Sequence, residues 1–282
     1  MFSYTGKTAL ITGASSGIGE AFAQILAAHG MNLVLVARSE DKLRALAQAL
    51  SEQHGIRADV VPADLCREGA AQEVYRRTRA LGIPVDLLVN NAGFGTYGGF
   101  DTLAPEREHE EIMLNVTALV DLTLAFVPAM AERKAGGVIN VASIAAFQPL
   151  PYHAVYGASK AFVLSFSLAL WAEYRKVGVR VLALCPGPTA TNFFTILGAD
   201  ELPMMGSMHT PEAVVMTGLR TLEQGRPYAV EGRRNAFGAQ LTHMTPLALT
   251  ARVFARVMRP RKKEAQPGGE RSTTPLASRS KP

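Results

Sequence analysis

The sequence predicts an α/β protein: a doubly wound, mostly parallel sheet with helices on both faces, built as a single domain. Three observations carry this. Short runs of β-branched and leucine residues recur along the first 185 positions, and each is separated from the next by a helix-length stretch. The runs are continuous rather than alternating, as expected of strands covered on both faces. The chain has 282 residues, 48% hydrophobic and 19% charged, enough apolar material for a sizeable core.

The elements follow in order. Lys7–Thr12 is a first apolar run, and Gly17–His29 carries Ile18, Phe22, Ile25 and Leu26 at helical spacing. Asn32–Ala37 is a second strand, followed by a charged helix from Ser39 to about His54. Ile56–Val61, a helix near Arg67–Leu81, and Val85–Val89 come next. A long helical region spans Pro105–Arg133, then a strand Val138–Val141, a helix Val155–Val177 and a strand Val179–Leu184. That makes about six parallel strands before residue 185, a fold whose ligands bind at the carboxyl ends of the strands. Pro186–Thr210 reads as a long loop rich in Gly, Pro and Met. A helix near Pro211–Gln224, a short strand Tyr228–Val230 and a helical pattern Ala236–Met258 broken by Pro246 complete the domain, which is placed over residues 1–258. Residues 259–282 form a basic, polar tail expected to be disordered.

Composition excludes several function classes. The net charge is +5, but the stretch after Pro260 carries six cations against two acids, leaving +1 for residues 1–260. No basic face is implied, and nucleic acid is not an expected partner. Two cysteines, Cys66 and Cys185, make neither a disulfide framework nor a zinc site, and a reduced, cytoplasmic setting is expected. No run approaches the ~20 uncharged apolar residues of a membrane span. Met1–Lys7 lacks the basic and apolar regions of a secretory signal.

Thr12-Gly13-Ala14-Ser15-Ser16-Gly17-Ile18-Gly19 lies between the first strand and the first helix. Gly13 allows the tight turn, Gly17 lets the backbone approach a pyrophosphate, and Gly19 allows close packing of helix and strand. The helix N-terminus offers unpaired N–H groups and a partial positive charge. Ser15 and Ser16 add hydroxyl donors. Where an NAD enzyme of this fold places an acid after the second strand, this chain has Arg38. An arginine fork suits a 2′-phosphate, so NADP(H) is favoured over NAD(H), the alternative being a solvated surface arginine. Asp64 and Leu65, past the third strand, are placed to reach an adenine; Asp64 would equally serve as a helix N-cap.

Tyr156 and Lys160 are four residues apart at the start of a predicted helix and share a face. A lysine ammonium beside the tyrosine, together with the positive nicotinamide ring, favours the tyrosinate, and a downward shift of roughly 3 units needs about 4 kcal/mol. Tyr156 would then act as acid–base near neutral pH. The spacing alone is common. Ser143, after the fifth strand, would stand at that strand's carboxyl end and hold a carbonyl oxygen. Asn115 lies in the long helix, and Asn90-Asn91-Ala92-Gly93 follows the fourth strand.

Together, Thr12–Gly19, Asp64, Asn90–Gly93, Asn115, Ser143, Tyr156-Gly157-Ala158-Ser159-Lys160 and Cys185–Thr189 resemble the short-chain dehydrogenase/reductase family, in its order and spacing, from about residue 5 to 232. Val36–Ser39 with Asn91–Gly95 resembles its NADP-preferring reductases of unassigned substrate. The resemblance implies a Rossmann-type fold and hydride transfer between NADP(H) and a carbonyl or secondary alcohol. It implies Tyr156 as acid–base, Lys160 lowering its pKa and binding the nicotinamide ribose, Ser143 polarising the carbonyl, and Asn115 holding a relay water. Gly13, Ser15 and Ile18 would lie along the pyrophosphate, Arg38 on the 2′-phosphate, Asp64 and Leu65 near adenine, and Asn91 near its ribose. Pro186, Gly187 and Thr189 would border the nicotinamide. A basic residue before the middle glycine, frequent in the family's NADP binders, is here Ser16. Family analogy also implies a homo-oligomer built through helices 105–133 and 155–177.

An apolar substrate is expected from Phe193, Phe194, Ile196, Leu197, Met204, Met205 and Met208, facing Phe94, Tyr97, Tyr152 and His153; packing against the protein's own core is the alternative. Leu247–Met258, apolar and followed by cations, could lie on an anionic membrane surface, pad a subunit interface or fray. The rival to a carbonyl reductase is a catalytically idle NADP(H) sensor, which would have no need of Ser143, Tyr156 and Lys160 together.

Overall fold

A computed structural model describes residues 3–193, 197, 208–243 and 245–260. The strands are β1 (Thr8–Thr12), β2 (Asn32–Ala37), β3 (Ala58–Pro62), β4 (Leu87–Asn90), β5 (Gly136–Val141), β6 (Val179–Cys185) and β7 (Tyr228–Val230). They form one sheet in the order β3-β2-β1-β4-β5-β6-β7, with every neighbouring pair parallel. The helices are α1 (Gly17–Ala28), α2 (Glu40–His54), α3 (Ala70–Ala80), α4 (Pro105–Ile112), α5 (Ala118–Glu132), α6 (Ala154–Tyr174), α7 (Pro211–Glu223), α8 (Arg233–His243) and α9 (Leu247–Val257).

Alternation along the strands builds two apolar layers. Ala9, Ile11, Leu33 and Leu35 enter the layer shared with α1, α2 and α7, while Leu10, Val34 and Val36 enter the one shared with α3 and α5. All seven residues are 0% exposed, which is why the runs read as continuously hydrophobic. The order reverses where β1 lies between β2 and β4, so a crevice opens at the carboxyl ends of β1 and β4.

Three features differ from expectation. The long helix is interrupted by a π-helical turn, Met113–Thr117, centred on Asn115. α3 starts at Ala70 rather than near Arg67, because Asp64 holds a turn first: its Oδ1 accepts from Cys66 N at 3.2 Å and its carbonyl from Arg67 N at 3.2 Å. Asp64 is therefore not a helix N-cap; Gly69 occupies that position. The helical runs Pro105–Glu132 and Ala154–Tyr174 also have the length and mean hydropathy, 1.8 and 1.3, of a membrane span, which the sequence reading did not register. Both lie against the sheet: α5 packs on β4 and β5, and α6 on β6. Residues 261–282 of the basic tail lie outside the described residues.

Candidate functional site

The crevice is a cleft of about 400 Å³ lined by the glycine turn, the ends of β2 to β6 and the loop after β6. At its floor, Gly13 has φ +66 and a Cβ there would stand 2.8 Å from Asn91 Nδ2. Gly19 has no room at all: its Cβ would meet the Gly13 carbonyl oxygen at 2.2 Å. The close approach is thus within the turn itself, rather than between helix and strand. Ser16 begins α1 with extended backbone and makes no side-chain capping bond, and Ser16, Gly17 and Ile18 at this helix start line the cleft.

Thr12 ties this turn to the end of β4. Its hydroxyl accepts from Asn91 N at 2.9 Å and Ala92 N at 3.0 Å, and Asn91 Nδ2 donates to Thr12 O at 2.9 Å. Asn91 lines the cleft, but Asn90 turns away: its Nδ2 donates to Thr123 Oγ1 and Asn140 Oδ1 in a buried layer that ends at Ser167. Ser15, Ser16, Gly17, Ile18, Arg38, Asp64 and Leu65 all lie on the same wall. Arg38 is exposed and in no ion pair among the described residues.

Ser143, Tyr156 and Lys160 meet across the cleft from that wall, with Pro186, Gly187 and Thr189 beside them. Ser143 caps a 3-10 turn, its Oγ accepting from Ala145 N at 3.1 Å. Lys160 Nζ donates to Val141 O at 2.9 Å and stands 5.7 Å from the centre of the Tyr156 ring. Burial lowers the Lys160 amine to about 8, against the pull of Glu111. Burial also pushes the Tyr156 phenol up to about 12, with the Ser143 hydroxyl opposing and Glu111 reinforcing. The downward shift expected from the sequence invoked the lysine and a nicotinamide ring together; among the protein's own groups, burial sets the direction. The Lys160 ammonium donates to a strand carbonyl, and the rise of the phenol comes chiefly from its burial.

Asn115 projects from the π turn to hold the strand-end loop. Its Oδ1 accepts from Phe94 N at 3.2 Å; its Nδ2 donates to Phe94 O at 2.9 Å and Ser159 Oγ at 3.1 Å. One Oδ1 lone pair is left for another donor.

The outer part of the cleft is apolar. Phe94, Phe193 and Leu197 line it, with Tyr156 and Phe193 ring centres 5.5 Å apart. His153 also lines it, buried between Tyr97 and Tyr156, and burial lowers its imidazole to about 4, so it is neutral at pH 7. Tyr97, Tyr152 and Met208 are not on the lining, and Met208 is 45% exposed. Phe194, Ile196, Met204 and Met205 lie outside the described residues. Sequence reasoning missed Leu114, Leu150 and Met258 on the lining, and Arg107, whose guanidinium sits 3.8 Å from the Phe94 ring centre. It also missed Glu111, wholly buried behind this wall, where Oε2 accepts from Thr96 Oγ1 at 3.1 Å. Both cysteines are free thiols pushed up by burial, Cys66 to about 11 and Cys185 to about 12, so neither is a thiolate at neutral pH.

Residues 7–202 match the family model described as short chain dehydrogenase. The chain belongs to the short-chain dehydrogenase family. This short-chain dehydrogenase is 33% identical over 234 residues to the very-long-chain 3-oxoacyl-CoA reductase of Anas platyrhynchos, covering 80% of this chain and 74% of that one. Oxidoreductase UcpA of Salmonella typhimurium is 35% identical over 212 residues, 75% of this chain and 78% of its own. A solved short-chain dehydrogenase from Sphingobium yanoikuyae, in complex with NADPH, shares the fold with a TM-score of 0.77 at 32% identity, covering 92% of this chain and 98% of that one. The motif resemblance and the doubly wound, Rossmann-type fold expected from the sequence are both met.

Proposed function

We propose that this short-chain dehydrogenase is an NADP(H)-dependent carbonyl reductase, or secondary-alcohol dehydrogenase, acting on an apolar substrate with Tyr156 as acid–base. The observation that carries this is the meeting of Ser143, Tyr156 and Lys160 in the cleft that also holds the open N-terminus of α1. The wall fits a dinucleotide phosphate. Side chains are excluded at Gly13 and Gly19, helix N–H groups are free, and the Arg38 guanidinium stands at the rim. The solved relative in complex with NADPH supports the same cofactor. When bound, it supplies or accepts the hydride.

The protein's own residues do the rest. Tyr156, held protonated by burial, donates its proton to the carbonyl oxygen, and the Ser143 hydroxyl donates a hydrogen bond to the same oxygen. Lys160, fixed by Val141 O, keeps a cation beside the phenol so that its deprotonated form can be reprotonated. Asn115 acts as a positioning residue, holding Phe94 and Ser159 in place. Phe94, Phe193 and Leu197 keep water from the reacting carbon. An idle sensor would need none of this set.

A homo-oligomer through the long helices is supported by Leu124 on α5 and Phe162 on α6, which are 67% and 42% exposed. The two free thiols fit a reducing, cytoplasmic setting. The test of the reading is NADPH oxidation, followed by absorbance, with a panel of apolar ketones, aldehydes and quinones. Turnover of any member with NADPH preferred over NADH supports it; tight NADPH binding with no turnover by metabolite extracts would contradict it.

A further inference from the structure

Averaged over residues 1–260 the charge is almost neutral, but it is sharply divided along the chain. Residues 1–231 hold 18 cations and 22 acids, whereas residues 232–263 hold eight cations and no acid. This acid-free stretch contains α8 and α9. It also carries much of the molecule's exposed apolar surface. On α8, Phe237 is 69% and Leu241 55% exposed; on α9, Leu247, Leu249, Val253 and Val257 are 64%, 52%, 45% and 37% exposed. Leu249, Val253 and Val257 follow at i, i+4 and i+8, one stripe along the helix. Arg252 and Arg256 are exposed in the same turns, and Arg259 is exposed just beyond. Thr250 and Met258 are buried and fix the inner face.

We propose that α8 and α9 form a docking face for an anionic lipid bilayer, the apolar stripe entering the headgroup boundary and the arginines meeting lipid phosphates. A helix apolar on one side with arginines at its margins, and no carboxylate to be repelled, matches that surface chemically. A second copy of the chain matches poorly. A two-fold contact sets the same patch against itself, and the exposed Arg234, Arg252, Arg256 and Arg259 would meet their equivalents with no acid between them. The face adjoins the cleft: Met258 lines it, and its carbonyl accepts from Tyr97 Oη at 2.9 Å.

The test is flotation of the full chain with vesicles of phosphatidylcholine alone and of phosphatidylcholine mixed with phosphatidylglycerol. Binding to the mixed vesicles is expected to be stronger by about a hundredfold, the effect of about three surface arginines, and to weaken with salt. Arg252→Gln/Arg256→Gln should remove most of that preference. Leu249→Glu/Val253→Glu should abolish binding to both while NADPH binding is kept. No enrichment on the mixed vesicles, or equal binding to both compositions, overturns the proposal. So does an unbound protein whose sedimentation mass falls on Leu249→Glu/Val253→Glu, which would make this face an interface between copies.

Discussion

Glu111→Gln tests the electrostatics of the site through stability rather than turnover. In α4, Glu111 is 0% exposed while its neighbour Ile112 is 43% exposed, so the helix turns its acid inward and its aliphatic residue outward. Glu111 Oε2 accepts from Thr96 Oγ1, and Oε1 has no hydrogen-bond partner among the described residues. Burial pushes the carboxyl from its ordinary 4.5 up to about 7; Glu108 adds to the rise, and Thr96 and Lys160 oppose it. The folded chain therefore holds this proton more tightly than the unfolded chain. The stability this gives is complete below the unfolded value and is lost as pH rises through about 7. At 1.36 kcal/mol per unit, the swing is about 3 kcal/mol. Glutamine is uncharged, keeps an acceptor for Thr96, and is free of this dependence. In urea unfolding, the stability of Glu111→Gln relative to the parent should climb by about 3 kcal/mol from about pH 4.5 to about pH 8. A difference that stays constant across that range would refute the reasoning.

Three other outcomes are expected. Arg38→Asp should weaken NADPH about tenfold to a hundredfold in titration and leave NADH nearly unchanged, because a charge-assisted bond worth about 1.5–3 kcal/mol is lost; an unaltered preference would place the 2′-phosphate elsewhere. Gly19→Ala drives a Cβ to 2.2 Å from the Gly13 carbonyl oxygen and should cost about 1–3 kcal/mol of folding stability in urea unfolding, whereas Gly238→Ala, with nothing within 4 Å, should cost none. Because the Lys160 amine is held at about 8, the reduction rate should fall as pH rises past that value and the cation is lost. Lys160→Met should lower kcat and erase that limb; persistence of the limb in the variant would assign it to another group.

The strands were readable because burial on both faces leaves a continuous signal. Asn32–Ala37 and Tyr228–Val230 fall where expected. β3, one of the two outer strands and mostly half-buried, begins two residues later than the Ile56 run. The π turn was invisible, since Met113–Thr117 contains neither Gly nor Pro to mark a break. The glycine turn and Ser143 were legible because each directly follows a strand, and Tyr156 and Lys160 because their four-residue spacing puts them on one helix face and joins the family resemblance. Glu111 was not: within Glu106–Glu111 it reads as part of a solvated acidic run. The available signal was its spacing with Glu108 and Asn115, which puts the three on one helix face. The rise of the Tyr156 phenol was out of reach for a different reason: spacing places the lysine nearby, but only the folded structure shows how deeply the phenol is buried.

The most direct test of the central claim is Tyr156→Phe, followed by single-turnover NADPH oxidation with a ketone substrate and by NADPH titration of the same sample. Removing only the phenolic proton donor should slow the chemical step by about a hundredfold to ten-thousandfold while the cofactor still binds nearly as before. A variant that turns over at the parent's rate would contradict Tyr156 as the acid.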